Sequence, residues 1–239
     1  MSETRTASAG LAERFANITN RINEALQRSN RPAEDLTLIA ISKTHPASVV
    51  SEAIKVGATD LGENRVQEAE EKILEVGRNS ARWHLVGHLQ ANKAKRAVKL
   101  FDVIHSLDSA ELAGRLDRLC EEEAVNQLSV LIQVDLGEEE TKSGIAEDQV
   151  VSLAQEVDKC KHLELIGLMT LPPFFEDPNE ARPFFKRLAQ LRDKLAQDGL
   201  FKSGRGELSM GMTHDFEVAI EEGATMVRIG TAIFGERGR

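Results

Sequence analysis

The chain of 239 residues is 41% hydrophobic and carries 39 acidic against 30 basic residues, a net charge of −9. That balance speaks against broad nucleic-acid binding and for a soluble, self-repelling particle. No signal-peptide stretch opens the sequence and no segment approaches the roughly 20 apolar residues of a membrane span, so the expected compartment is the cytoplasm with no membrane partner.

Leu11, Phe15, Ile18, Ile22 and Leu26 recur at spacings of three and four, which predicts a helix over 8–28. Strand-like segments follow at 36–42, 58–62, 82–86, 102–107, 128–135, 163–169, 206–210 and 225–229. Between them, 47–56, 64–76, 90–99, 109–124, 147–158, 179–197 and 213–222 have helical character. A repeated βα order implies a parallel sheet, and eight strands predict a (β/α)8 TIM barrel with an extra N-terminal helix. A doubly wound open sheet is the alternative; the strand count favours closure. No Pro- or Gly-rich linker divides the chain, and the proline-punctuated loop Leu171–Pro178 sits inside one βα connection. A single domain over 1–239 is expected, with nothing left over to cap the barrel.

Lys43 ends the apolar run Leu36-Thr-Leu-Ile-Ala-Ile-Ser-Lys43. A strand of this kind delivers an amine to the rim of a core, where desolvation can leave it nucleophilic. The plainer reading is a solvated strand terminator. Two small-residue segments, Leu208-Ser-Met-Gly-Met212 and Arg228-Ile-Gly-Thr-Ala-Ile-Phe-Gly235, each come just after a predicted strand. Phosphates are commonly held after strands 7 and 8 of such barrels. The Ser209 hydroxyl and the backbone amides near Gly211, Gly230 and Thr231 are candidate phosphate donors, unless the glycines only shape tight turns. A lysine together with a phosphate cradle suggests pyridoxal phosphate (PLP). A lysine-dependent aldolase acting on phosphorylated sugars would use the same residues without a cofactor.

Arg228 sits inside an apolar strand and needs a partner: a cofactor ring nitrogen or a structural carboxylate. His84 and His88 have the spacing of a helical metal pair, but four strand residues span roughly 13 Å, so no metal is expected. The run Lys93-Ala-Lys-Arg-Ala-Val-Lys99 suits a solvated helix face, with an RNA contact as the lesser reading. Cys120 and Cys160 are expected to be reduced, partly buried thiols. Neither a P-loop nor a G-x-S-x-G elbow occurs.

Six ordered motifs resemble those of the pyridoxal phosphate homeostasis family. They are Ile41-Ser-Lys-Thr-His-Pro46, Leu61-Gly-Glu-Asn-Arg-Val-Gln-Glu68, Trp83-His-Leu-Val-Gly-His-Leu-Gln-Ala-Asn-Lys93, Gly167-Leu-Met169, Leu208–Met212 and Val227–Gly235. The resemblance implies a barrel similar to the N-terminal domain of alanine racemase, with PLP as a Schiff base on Lys43. It also implies Asn64 and Met169 near the cofactor, Ser209, Gly211, Gly230 and Thr231 on its phosphate, and Arg228 on its ring nitrogen. The implied role is PLP homeostasis, as a carrier or regulator that affects amino-acid metabolism. PLP, amino acids and apo PLP enzymes are its implied partners, and the chain is expected to be a monomer. A weak racemase-type enzyme is the alternative, with His84, His88, His214 or the cysteines as second acid or base. Two departures stand out. Strand 5 reads Gln133-Val-Asp135 where family members often have Asn, and the chain contains no tyrosine, the second base of alanine racemases.

Overall fold

The computed structural model describes residues 2–137, 143–202 and 204–235. Eight strands pair in chain order and close on themselves. They are β1 (Thr37–Ile41), β2 (Asp60–Glu63), β3 (Arg82–Leu85), β4 (Val103–Leu107), β5 (Leu128–Val134), β6 (Leu163–Thr170), β7 (Glu207–Met212) and β8 (Met226–Ile229). Parallel pairing of β1 with β8, Ile39 opposite Arg228, closes the cylinder and decides against an open doubly wound sheet.

Helices α2 (Ala47–Lys55), α3 (Val66–Val76), α4 (Ala94–Leu100), α5 (Ala110–Glu122), α6 (Val150–Asp158), α7 (Arg182–Gln197) and α8 (Phe216–Glu221) fill the crossovers. Their buried stripes repeat at helical spacing, as with Leu112, Leu116 and Leu119 of α5, and pack on outward strand residues such as Leu61, Trp83 and Leu208. A one-turn helix, α9 (Thr231–Phe234), follows β8. Sequence periodicity misses it because four residues hold too little of a 3.6-residue repeat.

Helix α1 (Ser2–Arg28) lies across α8 and α9 and is tied to them by arginines. Arg21 grips Glu217 through two hydrogen bonds of 3.0 and 3.1 Å and covers the ring of Phe216. Arg14 Nε donates to the Ile233 carbonyl at 2.8 Å, satisfying one of the acceptors that a helix end leaves open. The N-terminal helix thereby braces the turn that follows β8.

Inside the barrel, Ile39, Ile41, Val103, Leu131, Met169 and Met226 form a separate apolar cluster. Polar side chains, among them His84, His105, Ser209 and Arg228, share the interior with it. Among the described residues no helix is long and apolar enough to cross a membrane.

Candidate cofactor site at the C-terminal rim

Lys43 stands two residues beyond β1, in a turn, and its side chain is exposed. Its exposure is that of the solvated strand-end lysine. What the fold supplies is rigidity on either side of Lys43. Ser42 is fully buried; its Oγ donates to Glu63 Oε1 at 2.5 Å and its carbonyl accepts from Lys72 Nζ at 2.7 Å. Thr44 is held at φ 68°, in the left-handed region, with its N–H on the Glu68 carboxylate. Lys72 joins both carboxylates, at 2.6 Å to Glu63 and 2.8 Å to Glu68.

Burial pushes Glu63 above the usual carboxylate range, with the Lys72 ammonium opposing. Burial also works against an ionised Glu68, but the hydrogen bonds from Lys72 and the Thr44 N–H outweigh it and hold Glu68 below that range. Among the described residues no hydrogen bond or ion pair engages the Lys43 ammonium. The turn is fixed and its amine is unengaged.

The turn after β8 adjoins this one because β1 pairs with β8, Ala40 lying opposite Ile229. A Cβ on Gly230 would sit 3.5 Å from the Ile41 carbonyl oxygen. His45 stacks on Phe234 with ring centroids 5.1 Å apart, joining the Lys43 turn to α9. Thr231 is exposed at the first position of α9, where helical N–H groups lack intrahelical partners.

Two residues below Gly230, the buried guanidinium of Arg228 donates to Ser209 Oγ at 2.5 Å and to the Thr170 carbonyl at 2.9 Å. Burial pushes Arg228 down to about 10, with Asp215 partly opposing. Among the described residues no carboxylate forms an ion pair with it and no hydrogen bond engages its Nε. Asp215 is the carboxylate that acts on Arg228, through space and without an ion pair. A buried cation with spare donor capacity fits a ring-nitrogen lone pair or an anion.

The segment Leu208–Met212 lies within β7 and not after it, which corrects the expected placement. Ser209 is fully buried, shared between Arg228 and His105 Nδ1 at 2.9 Å, so its hydroxyl already has two partners below the rim. Gly211 takes φ 91°, and a Cβ there would come within 2.6 Å of Ala219 Cβ; only glycine lets β7 pass this close to α8. Met169 is buried in the interior cluster, in register with Gln133 and Ser209, and forms part of the floor. Asn64 is half-buried just after β2, and a Cβ on Gly87 would fall 2.3 Å from its carbonyl oxygen, so the loops after β2 and β3 touch only because residue 87 is glycine.

Sequence reasoning missed Asp60, His105 and the partners of Lys72. Asp60, His84, His105, Ser209 and Arg228 form one hydrogen-bonded row through the barrel interior. The available signal was polar residues on the inward phase of apolar strands. His88 is exposed outside this row, 3.4 Å from Asp108, and among the described residues no group of three or more His, Cys, Asp or Glu could hold a metal ion. On α4, Lys95 and Lys99 pair with Glu123 and Arg96 with Glu70, so much of the basic run is matched by acidic neighbours. Burial raises the Cys120 thiol to about 11. Asp135 accepts from the Gly137 N–H at 3.0 Å, shaping its own loop.

The family model of the alanine racemase N-terminal domain matches residues 14–238. The pyridoxal phosphate homeostasis protein of Aquifex aeolicus is 41% identical over 225 residues, covering 94% of this chain and 97% of that protein. Its namesake in Escherichia coli K12 is 38% identical over 234 residues, covering 95% and 97%. The structure of PipY from Synechococcus elongatus with PLP bound superimposes with a TM-score of 0.81 at 36% identity, covering 94% of this chain and 100% of PipY. The chain therefore belongs to the pyridoxal phosphate homeostasis protein family, built on the alanine racemase N-terminal barrel.

Proposed function

We propose that this chain binds PLP through Lys43 and releases it again, serving as a cytoplasmic carrier or regulator of PLP supply and not as a catalyst. The observation that carries this reading is the amine of Lys43, which no described residue engages, on a rigid turn beside the Gly230–Thr231 turn and above a buried guanidinium that makes no ion pair among the described residues. The PLP bound to PipY supports the choice of cofactor.

When bound, PLP supplies an aldehyde carbon for reaction with amines. Lys43 would hold it, and the N–H groups at Gly230 and Thr231, with the Thr231 hydroxyl, would take the phosphate. Arg228 would donate to the ring nitrogen and keep it unprotonated, which makes the ring a weak electron sink. Asn64 and Met169 would line the site. Ser209 would act by holding Arg228, and Gly211 by admitting α8 beside the phosphate side of the barrel.

Amino acids that reach the exposed Lys43 turn would displace the lysine and loosen the cofactor for apo PLP enzymes. Against a racemase-type activity, the sequence has no tyrosine, His84 is sealed in the barrel and burial raises the Cys120 thiol to about 11, which leaves the exposed His88 and His214 and the half-buried Cys160 as the candidates for a second base.

The test is the visible spectrum of purified protein incubated with PLP, before and after borohydride, with mass mapping of the modified residue. A visible band that reduction fixes on Lys43, and that Lys43→Ala abolishes, is the expected result. Absence of the band would favour the cofactor-free aldolase reading; a label on Lys93 would refute the assignment of Lys43.

A further inference from the structure

Five side chains on five strands form one hydrogen-bonded row from the C-terminal half of the barrel toward its base. Arg228 NH1 donates to Ser209 Oγ at 2.5 Å, and Ser209 Oγ lies 2.9 Å from His105 Nδ1. His105 Nε2 lies 2.9 Å from His84 Nδ1, and His84 Nε2 lies 2.9 Å from Asp60 Oδ1. Thr59 Oγ1 donates to the other oxygen of Asp60 at 2.8 Å. His84, His105 and Ser209 are completely buried.

The two ends determine every proton between them. An ionised carboxylate can only accept, so His84 carries its proton on Nε2. A neutral His84 then accepts at Nδ1, which requires a proton on His105 Nε2. His105 in turn accepts at Nδ1, so the Ser209 hydroxyl points its hydrogen at His105 and leaves a lone pair for Arg228, which can only donate. Charge states agree with this order. Burial pushes both imidazoles below their ordinary value, and the His84 and Thr59 hydrogen bonds overcome burial to hold Asp60 below its own.

We infer that Asp60, through His84 and His105, is a positioning residue for Arg228: it fixes the orientation of the Ser209 hydroxyl and thereby the direction in which the guanidinium spends its NH1 donor. Among the described residues no carboxylate makes an ion pair with Arg228; Asp215 acts on it through space, and Asp60 lies at the far end of a neutral relay. The guanidinium therefore keeps donor capacity for a ligand above it. The functional half of the inference rests on the PLP reading; the proton arrangement does not.

The experiment has two arms. Long-range nitrogen–proton NMR on the imidazoles of the apo protein at neutral pH reads the tautomers directly. Both His84 and His105 should be neutral with the proton on Nε2, and a proton on Nδ1 of either would overturn the relay whatever the protein binds. In the second arm Asp60→Asn keeps shape but removes the charge that orders the row. The variant should show a mixed tautomer population at His84 and release PLP about tenfold faster, the scale of one charge-assisted hydrogen bond. Unchanged tautomers together with an unchanged release rate would refute the role of Asp60. Should the variant fail to fold, the wild-type tautomers still decide the proton order, and Ser209→Ala, which cuts the row beside Arg228, replaces it in the release measurement. Wild-type protein that takes up no PLP would instead refute the cofactor reading while leaving the tautomer result standing.

Discussion

Lys72 Nζ donates to the backbone carbonyl of Ser42 at 2.7 Å, so a buried ammonium on α3 grips the residue that directly precedes Lys43. The same ammonium bridges Glu63 and Glu68, which in turn hold the Ser42 hydroxyl and the Thr44 amide. The proposed role of Lys43 requires a defined origin for its long side chain, and this cluster fixes the backbone on both sides of it.

Lys72→Met should therefore be costly, because it strands Glu63 in a buried site. Loss of one partner from such a pair costs about 3 kcal/mol or more. The denaturation midpoint of the apo protein should fall accordingly, and adding Glu63→Gln should recover part of the loss. A double variant less stable than Lys72→Met alone would show that the pair is not the origin of the effect.

Gly211 and Gly230 are expected to respond differently to the same substitution. Gly211→Ala places a Cβ 2.6 Å from Ala219 Cβ at a positive φ, and should cost about 1–3 kcal/mol of stability. At Gly230 the new Cβ meets only an ordinary contact of 3.5 Å, so Gly230→Ala should leave the apo protein nearly as stable. Its effect, if Gly230 adjoins the phosphate, should appear in PLP retention alone. Equal retention in Gly230→Ala and wild type would remove that turn from the phosphate site.

Ser209→Ala removes more than one hydrogen bond. It leaves Arg228 NH1 and His105 Nδ1 without their shared partner inside the barrel, a cost of about 1–3 kcal/mol. Apo stability should drop by that amount and PLP should be released faster. A variant as stable as wild type would mean that water replaces the hydroxyl.

Acid should destabilise the protein well before carboxylates of ordinary pKa protonate. Burial lowers the values of His84 and His105 in the folded state, so below the ordinary imidazole value of about 6.5 the unfolded chain binds protons that the folded one refuses. Stability is present above that pH and is lost as pH falls, by up to about 1.4 kcal/mol per pH unit for each histidine held neutral. Asp60, held below its ordinary value, adds a further loss below about pH 4. Urea midpoints between pH 7.5 and 5 test this, and His105→Gln should flatten the slope. A flat wild-type profile would contradict neutral, buried imidazoles.

Release of the cofactor is open to direct measurement. Loaded protein mixed with an apo PLP enzyme should restore that enzyme's activity, and free amino acids should accelerate the recovery. PLP that survives dialysis against amino acids and activates no apo-enzyme would end the carrier reading. Efficient conversion of alanine to its D-enantiomer by the purified protein would argue for the racemase instead.

Local chemistry made much of this protein legible in its sequence. Apolar strand runs, helical spacings and eight βα repeats predict the barrel, because alternation and periodicity are properties of neighbouring residues. The run ending at Lys43 and the small residues Gly230 and Thr231 are local signals of the same kind. The apolar predecessors of Lys43 leave open whether its amine is desolvated or solvated, and the fold decides for solvent: the strand stops at Ile41, and the turn anchored by Glu63, Glu68 and Lys72 lifts the amine outward. The Asp60–His84–His105–Ser209–Arg228 row was likewise out of reach. Its members lie up to 168 residues apart in sequence, Asp60 to Arg228, and meet only because barrel closure turns the inward phase of β2, β3, β4, β7 and β8 onto one axis. Sequence set which side chains could face inward; closure of the sheet decided which of them share protons.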